Sequence, residues 1–150
     1  MTSTPTARDE MLALFRVAWE ANSPALNGGT APRIYWQRNE VAEADKPQSD
    51  EAWARVTVQH NEAGQRTLGQ TGNRRFDRVG VITVQVFTSQ KEDPDGSVLE
   101  ALGIIARDAF EGNTTSSDVW FRNVRLQETD PDDPWWQLNV LADFSYDDIK

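Results

Sequence analysis

A chain of 150 residues with 38% hydrophobic and 26% charged content has the composition of one folded domain spanning 1–150 and is too apolar for global disorder. Its longest apolar runs fall far short of the roughly 20 residues that a membrane-spanning helix needs, and the first ten residues lack the basic start and apolar core of a secretory signal. A net charge of −9, no cysteine and a single histidine count against tight binding of duplex nucleic acid, a disulfide framework, thiolate chemistry and any two-histidine metal site.

A first helix is expected over 7–22, capped by Thr6 with Asp9 as an acidic capping-box partner. Met11, Phe15, Ala18 and Trp19 share one stripe of that helix and should face a sheet. Asn22-Ser23-Pro24 ends it, because proline removes a donor and disfavours helix in the residue before it. After a glycine-rich loop, Arg33-Ile34-Tyr35-Trp36 reads as a short strand, and residues 37–51 read as a polar, acidic, mobile connection. From Trp53 the period changes to two: Ala54, Val56 and Val58 alternate with Arg55, Thr57 and Gln59, which predicts a strand with one buried face.

The polar segment 62–75, with Gly64, Gly69 and Gly72, is expected to be a long hairpin loop of the kind that carries function. It runs straight into a strand that is apolar on both faces. Val79, Val81 and Phe87 point one way and Ile82, Val84 and Val86 the other, so this strand should be central in its sheet or covered on both sides. The turn Asp93-Pro94-Asp95-Gly96 precedes a second helix, with Ser97 and Glu100 as its capping box and Gly112 as its stop. Leu99, Leu102, Ala106, Ala109 and Phe110 form its apolar stripe. A strand over 119–127, an acidic turn over 128–134 and a last strand follow. In that last strand Trp136, Leu138, Val140, Ala142, Phe144 and Tyr146 alternate with mostly polar residues. The order predicts an α+β fold: a mainly antiparallel sheet of four to five strands with two helices packed on it.

No active site can be read from these residues. His60 lies in phase with Val56 and Val58 and reads as a structural histidine at the sheet edge. Asp130, Asp132 and Asp133 lack the twelve-residue spacing of a calcium loop. Asn113-Thr114-Thr115 is a glycosylation sequon without a secretory context, and the glycine pairs match no phosphate-binding or dinucleotide fingerprint. No catalytic, cofactor or metal residue is assigned, and no enzymatic activity is expected. The residues singled out are instead candidates for subunit or tube contact: the arginines Arg66, Arg74, Arg75 and Arg78 around the long loop, Trp53 at the border of a loop, and Trp135 on the opposite phase of the last strand. Buried tryptophan and arginine dominate interface hot spots. Their plain alternative is a solvated loop and aromatic caps on the core edge.

The succession of parts resembles the tail terminator proteins of long-tailed bacteriophages, the lambda-type minor tail protein U group. It comprises an N-terminal helix ending in a tryptophan-containing turn, then Ala52-Trp53-Ala-Arg-Val-Thr-Val58, and Gly69-x-x-Gly72 with Arg74 and Arg75. After these come Gly80-Val-Ile-Thr-Val-Gln-Val-Phe87, a capped helix, and Trp135-Trp-Gln-Leu-Asn-Val140 with a terminal strand. The likeness covers most of 7–147 and rests on order, spacing and length; the acidic stretch 41–51 has no counterpart. The resemblance implies a virion protein at the head-proximal end of the tail, assembled in the host bacterial cytoplasm. It would form a homo-oligomeric, typically hexameric ring that caps the major tail tube protein, stops its polymerisation and presents a surface to head-completion or stopper proteins. DNA would pass through the lumen without specific binding, and no membrane would be involved. Two other classes share the size and acidity: a head-tail stopper or neck adaptor, and a small carboxylate-dependent hydrolase for which the sequence nominates no carboxylate pair.

Overall fold

A computed structural model describes residues 2–38 and 46–150; residues 39–45 of the acidic connection lie outside it. The elements are helix α1 (Thr4–Asn22), a 3-10 turn (Pro24–Leu26), β1 (Arg33–Trp36), β2 (Trp53–Gln65), β3 (Arg75–Ser89), helix α2 (Ser97–Phe110), β4 (Trp120–Glu128) and β5 (Trp135–Ile149). The strands form one five-stranded sheet in the order β1-β2-β3-β5-β4, antiparallel except for the β1–β2 pair. This is the α+β arrangement that the pattern of the sequence predicts, with the doubly apolar strand β3 at its centre.

Period-two alternation explains which face is covered. Ala54, Val56 and Val58 of β2, Ile82, Val84 and Val86 of β3, and Val140, Ala142 and Phe144 of β5 are all buried and share one face. Ala7, Met11, Phe15 and Trp19 of α1 and Leu102, Ala106, Ala109 and Phe110 of α2 close over that face as one core. Phe15 stacks on Phe110 with ring centroids 6.1 Å apart. The fully buried Trp19 donates its indole N–H to the carbonyl of Pro32 at 2.9 Å, so its polar atom costs nothing on burial. Each such large apolar side chain contributes about 1.5–3 kcal/mol.

Three local expectations are corrected. Helix α1 starts three residues earlier than read: Ser3, not Thr6, is the cap, and its hydroxyl accepts from the Thr6 N–H at 3.3 Å. Pro5 falls in the first turn, where its missing N–H is no loss. Helix α2 is not capped by Ser97. Gly96 takes the cap position at φ +72°, and the buried Asp93 carboxylate accepts from the N–H groups of Val98 and Leu99 at 3.2 and 3.1 Å.

Third, the two ends of the expected 62–75 loop, residues 62–65 and 75, are ordered as strand. Residues 62–65 of β2 pair with 76–79 of β3, and β5 runs as far as Ile149 opposite Arg75. The loop shrinks to 66–74. Main-chain ladders need no apolar alternation, so a polar arm lying between two partners forms a strand that periodicity alone does not show.

Candidate functional site: the open face of the sheet

The face of the sheet opposite the helices carries the odd-numbered residues of β3 and β5, and those of β2 up to Gln59; past the register shift at His60/Glu62 it carries Glu62 and Gly64 of β2. Val79, Val81 and Thr83 of β3 and Leu141 of β5 lie half-buried at its centre, and no helix among the described residues covers them. Three ion pairs lie around them. Arg75 donates to Asp147 at 2.7 Å, Arg125 meets Asp143 at 3.3 Å, and Arg66 pairs with Asp77. These pairs neutralise six of the charges on this face, which also carries Arg55, Glu62 and Arg122. A face with apolar and amide side chains at its centre and several of its charges paired has the make-up of a protein contact surface.

At one end of this face the aromatic residues gather. Trp53 stacks on Phe87 with ring centroids 3.9 Å apart and planes 8° from parallel, and Trp135 and Tyr35 stand edge-on to Trp53 at 5.5 and 5.4 Å. The Arg55 guanidinium lies over the Trp53 ring at 5.3 Å. Beside the cluster opens a cleft of about 630 Å³ with Asp132 on its wall. Among the described residues, neither the Trp53 nor the Trp135 indole N–H has a hydrogen-bond partner, although both are buried. A buried, unanswered donor is costly.

At the other end stands the 66–74 hairpin tip. It is held by its own bonds: Arg74 Nε donates to the Gly69 carbonyl at 2.8 Å and the Arg75 N–H to Thr67 Oγ1 at 2.9 Å. The main chain of Arg74 exchanges two hydrogen bonds with Lys150 at 2.9 and 2.8 Å. Leu68 projects from this ordered tip with 98% of its surface exposed.

The six candidate contact residues thus fall into separate groups. Trp53 and Trp135 meet in one cluster. Arg66, Arg74 and Arg75 share the hairpin end. Arg78 does not join them: as an even-numbered residue of β3 it lies on the helix-covered face, where it pairs with Asp148 at 3.3 Å and packs over Phe76. Sequence reasoning passed over Leu68, whose signal is that it stands alone as a large apolar residue in a polar loop. It also assigned Phe87 only to the strand interior. His60 sits on the helix-covered face with Nε2 2.8 Å from the Tyr146 hydroxyl, which in turn donates to Thr4 at 3.1 Å. Burial lowers the His60 pKa, and the nearby positive Arg8 and Arg78 push it the same way.

The chain is therefore an α+β protein with two helices on one face of a five-stranded sheet and a second face that no helix of the described residues covers. No family model and no curated protein matches it. Its fold is shared with solved structures. One, whose title names no function, superposes with a TM-score of 0.61 at 14% identity, covering 92% of this chain and 94% of the other. Another is a chain in a structure titled as the virion of a native gene transfer agent particle, with a TM-score of 0.54 and 12% identity over 94% of each chain. At such identities the likeness is one of fold.

Proposed function

We propose that this chain is a structural virion protein that assembles into a ring, caps a tail tube, ends its polymerisation and offers a surface to head-completion proteins. The observation that carries the reading is the fold likeness, along nearly the whole of both chains, to a component of a gene transfer agent virion. The order of parts in the sequence, which resembles that of tail terminators, gives the finer assignment. The open sheet face supports it, because a ring needs faces that receive neighbours and heterologous contacts that close. The charge of −9 suits a lumen through which DNA slides, since like charge repels phosphate.

Light scattering over a concentration series, with the chain alone and with the major tail tube protein of the same particle, tests this. The expected result is a closed ring, or a monomer that becomes a ring on the tube end and halts tube growth. A chain that leaves tube length unchanged at every concentration overturns the terminator reading in favour of a neck adaptor binding on the portal side.

A further inference from the structure

We infer that the pocket where β1 ends and β2 runs on alone is an oxyanion site, holding a carboxylate or phosphate group between Arg8, Arg38 and His60. The site stands or falls independently of ring formation. β1 ends at Trp36 opposite Val56, and past that point β2 has no outer strand among the described residues. Gln37 takes over for one step: its side-chain oxygen accepts the Val58 N–H at 2.9 Å. That bond fixes the amide and leaves both hydrogens of its nitrogen to donate elsewhere. Arg38 follows with φ +67°, a left-handed conformation that is costly for a residue with a long side chain. Here, beside the open edge of β2, lies a pocket of about 590 Å³. It is lined by Arg8 of α1, by Gln37 and Arg38, and by Thr57, Gln59 and His60 of β2.

The lining supplies donors and cations with no answering anion. Among the described residues no carboxylate borders the pocket, although the chain has 24 acidic residues against 15 basic. Neither Arg8 nor Arg38 makes an ion pair with a described residue, whereas Arg66, Arg75, Arg78 and Arg125 each face an aspartate. Arg8 Nε is buried without a hydrogen-bond partner among the described residues. A guanidinium N–H left so is costly, and an oxyanion supplies both the opposite charge and the paired acceptors that a guanidinium matches. His60 is exposed to the same imbalance. It faces Arg8 of α1, Arg78 of β3 and the Tyr146 hydroxyl of β5, and after burial the two arginines hold its pKa down. An anion seated beside them reverses that push.

His60 is the only histidine, so isotope-labelled histidine gives a single ring resonance in nuclear magnetic resonance spectra of the full chain. Inorganic phosphate added at constant ionic strength should move that resonance and raise the pH at which it titrates, because a bound anion favours the imidazolium. Arg8→Gln should weaken phosphate binding in calorimetry about tenfold or more, as loss of a charge-assisted hydrogen bond does. Arg38→Asn, which suits the left-handed backbone, should do the same with an unchanged melting temperature. A resonance that moves only with phosphate makes the occupant a free oxyanion. One that already moves with chain concentration, and that phosphate competes for, makes it a carboxylate of a second copy; both results uphold the site. A response to phosphate no greater than that to chloride overturns it, as does a response undiminished in both variants. Phosphate binding that appears only after Glu40, Glu43 and Asp45 are replaced by their amides assigns the pocket to the chain's own acidic connection and also overturns it.

Discussion

His60 and Glu10 show how single side chains tie the first helix to the rest of the molecule, and they respond to acid in different ways. Glu10 on α1 accepts from the hydroxyls of Thr115, Ser116 and Ser117 at 2.8, 2.6 and 2.8 Å. Burial raises its pKa, but those hydrogen bonds together outweigh the burial and lower it. His60 is held neutral, first by burial and then by the adjacent Arg8 and Arg78 charges, and its folded pKa lies below the ordinary 6.5. Between the folded and unfolded values the unfolded chain binds more protons, so stability rises with pH across that window. It falls as acid is added from about pH 7 downward, and the penalty is complete once pH is below the folded value. Replacing His60→Gln keeps a donor for the Tyr146 hydroxyl and removes the titration. The variant's unfolding free energy, measured in urea from pH 7 to 5, should decline less steeply than that of the unsubstituted chain. Equal slopes would mean that His60 is solvated and free to charge in the folded state.

Elements are held to their positions by a few close backbone approaches, and the tightest involves Gly80. It lies opposite His60 just before the register shift at His60/Glu62, where β2 carries an extra residue. A Cβ at Gly80 would meet the Gln59 carbonyl and come within 2.6 Å of the Phe144 ring. Gly80→Ala must therefore push β2 or Phe144 aside. It should cost about 1–3 kcal/mol in thermal or urea unfolding, as overpacking of a filled site does. Loss of less than about 0.5 kcal/mol would mean that the bulge gives way freely.

The same region marks how far the sequence could be read. The apolar alternation of Ala54–Val58, Ile82–Val86 and Leu138–Tyr146 showed the sheet and its covered face, and the Met11–Trp19 stripe showed the helix above it. The polar arms 62–65 and 75–78 were invisible to that signal, because their pairing is main-chain and tertiary. The Asp93 cap was hidden because the capping carboxylate comes from the preceding turn, a few residues before the expected Ser97. Of the candidate site, the pairing of Trp53 with Trp135 required the β2–β3–β5 register, which no local pattern encodes. The placing of Arg78 on the covered face follows from parity alone, once β3 is known to start at Arg75.

At the scale of the whole molecule, folding and assembly are divided between different parts of the chain. The main core lies between the helices and one face of the sheet, and the 66–74 tip contributes no residue to it. Stability and self-association should therefore separate. Replacing residues 67–74 by Asn-Gly joins Arg66 directly to Arg75 through a two-residue turn. These two residues already share a main-chain hydrogen bond of 2.7 Å, and that turn suits the twist of an antiparallel hairpin. Shortening the loop lowers its closure entropy cost by under about 1 kcal/mol, which offsets part of what is lost with the Arg74–Lys150 bonds. The shortened chain should keep its far-ultraviolet circular dichroism and melt within a few degrees of the original. It should also sediment as a monomer at concentrations where the full chain associates. If it still forms rings, the hairpin is not a subunit contact, and the centre of the open sheet face around Val81 and Leu141 is the next surface to substitute. If it fails to fold, the tip is part of the structural frame, and the division between core and contact surface argued from burial does not hold.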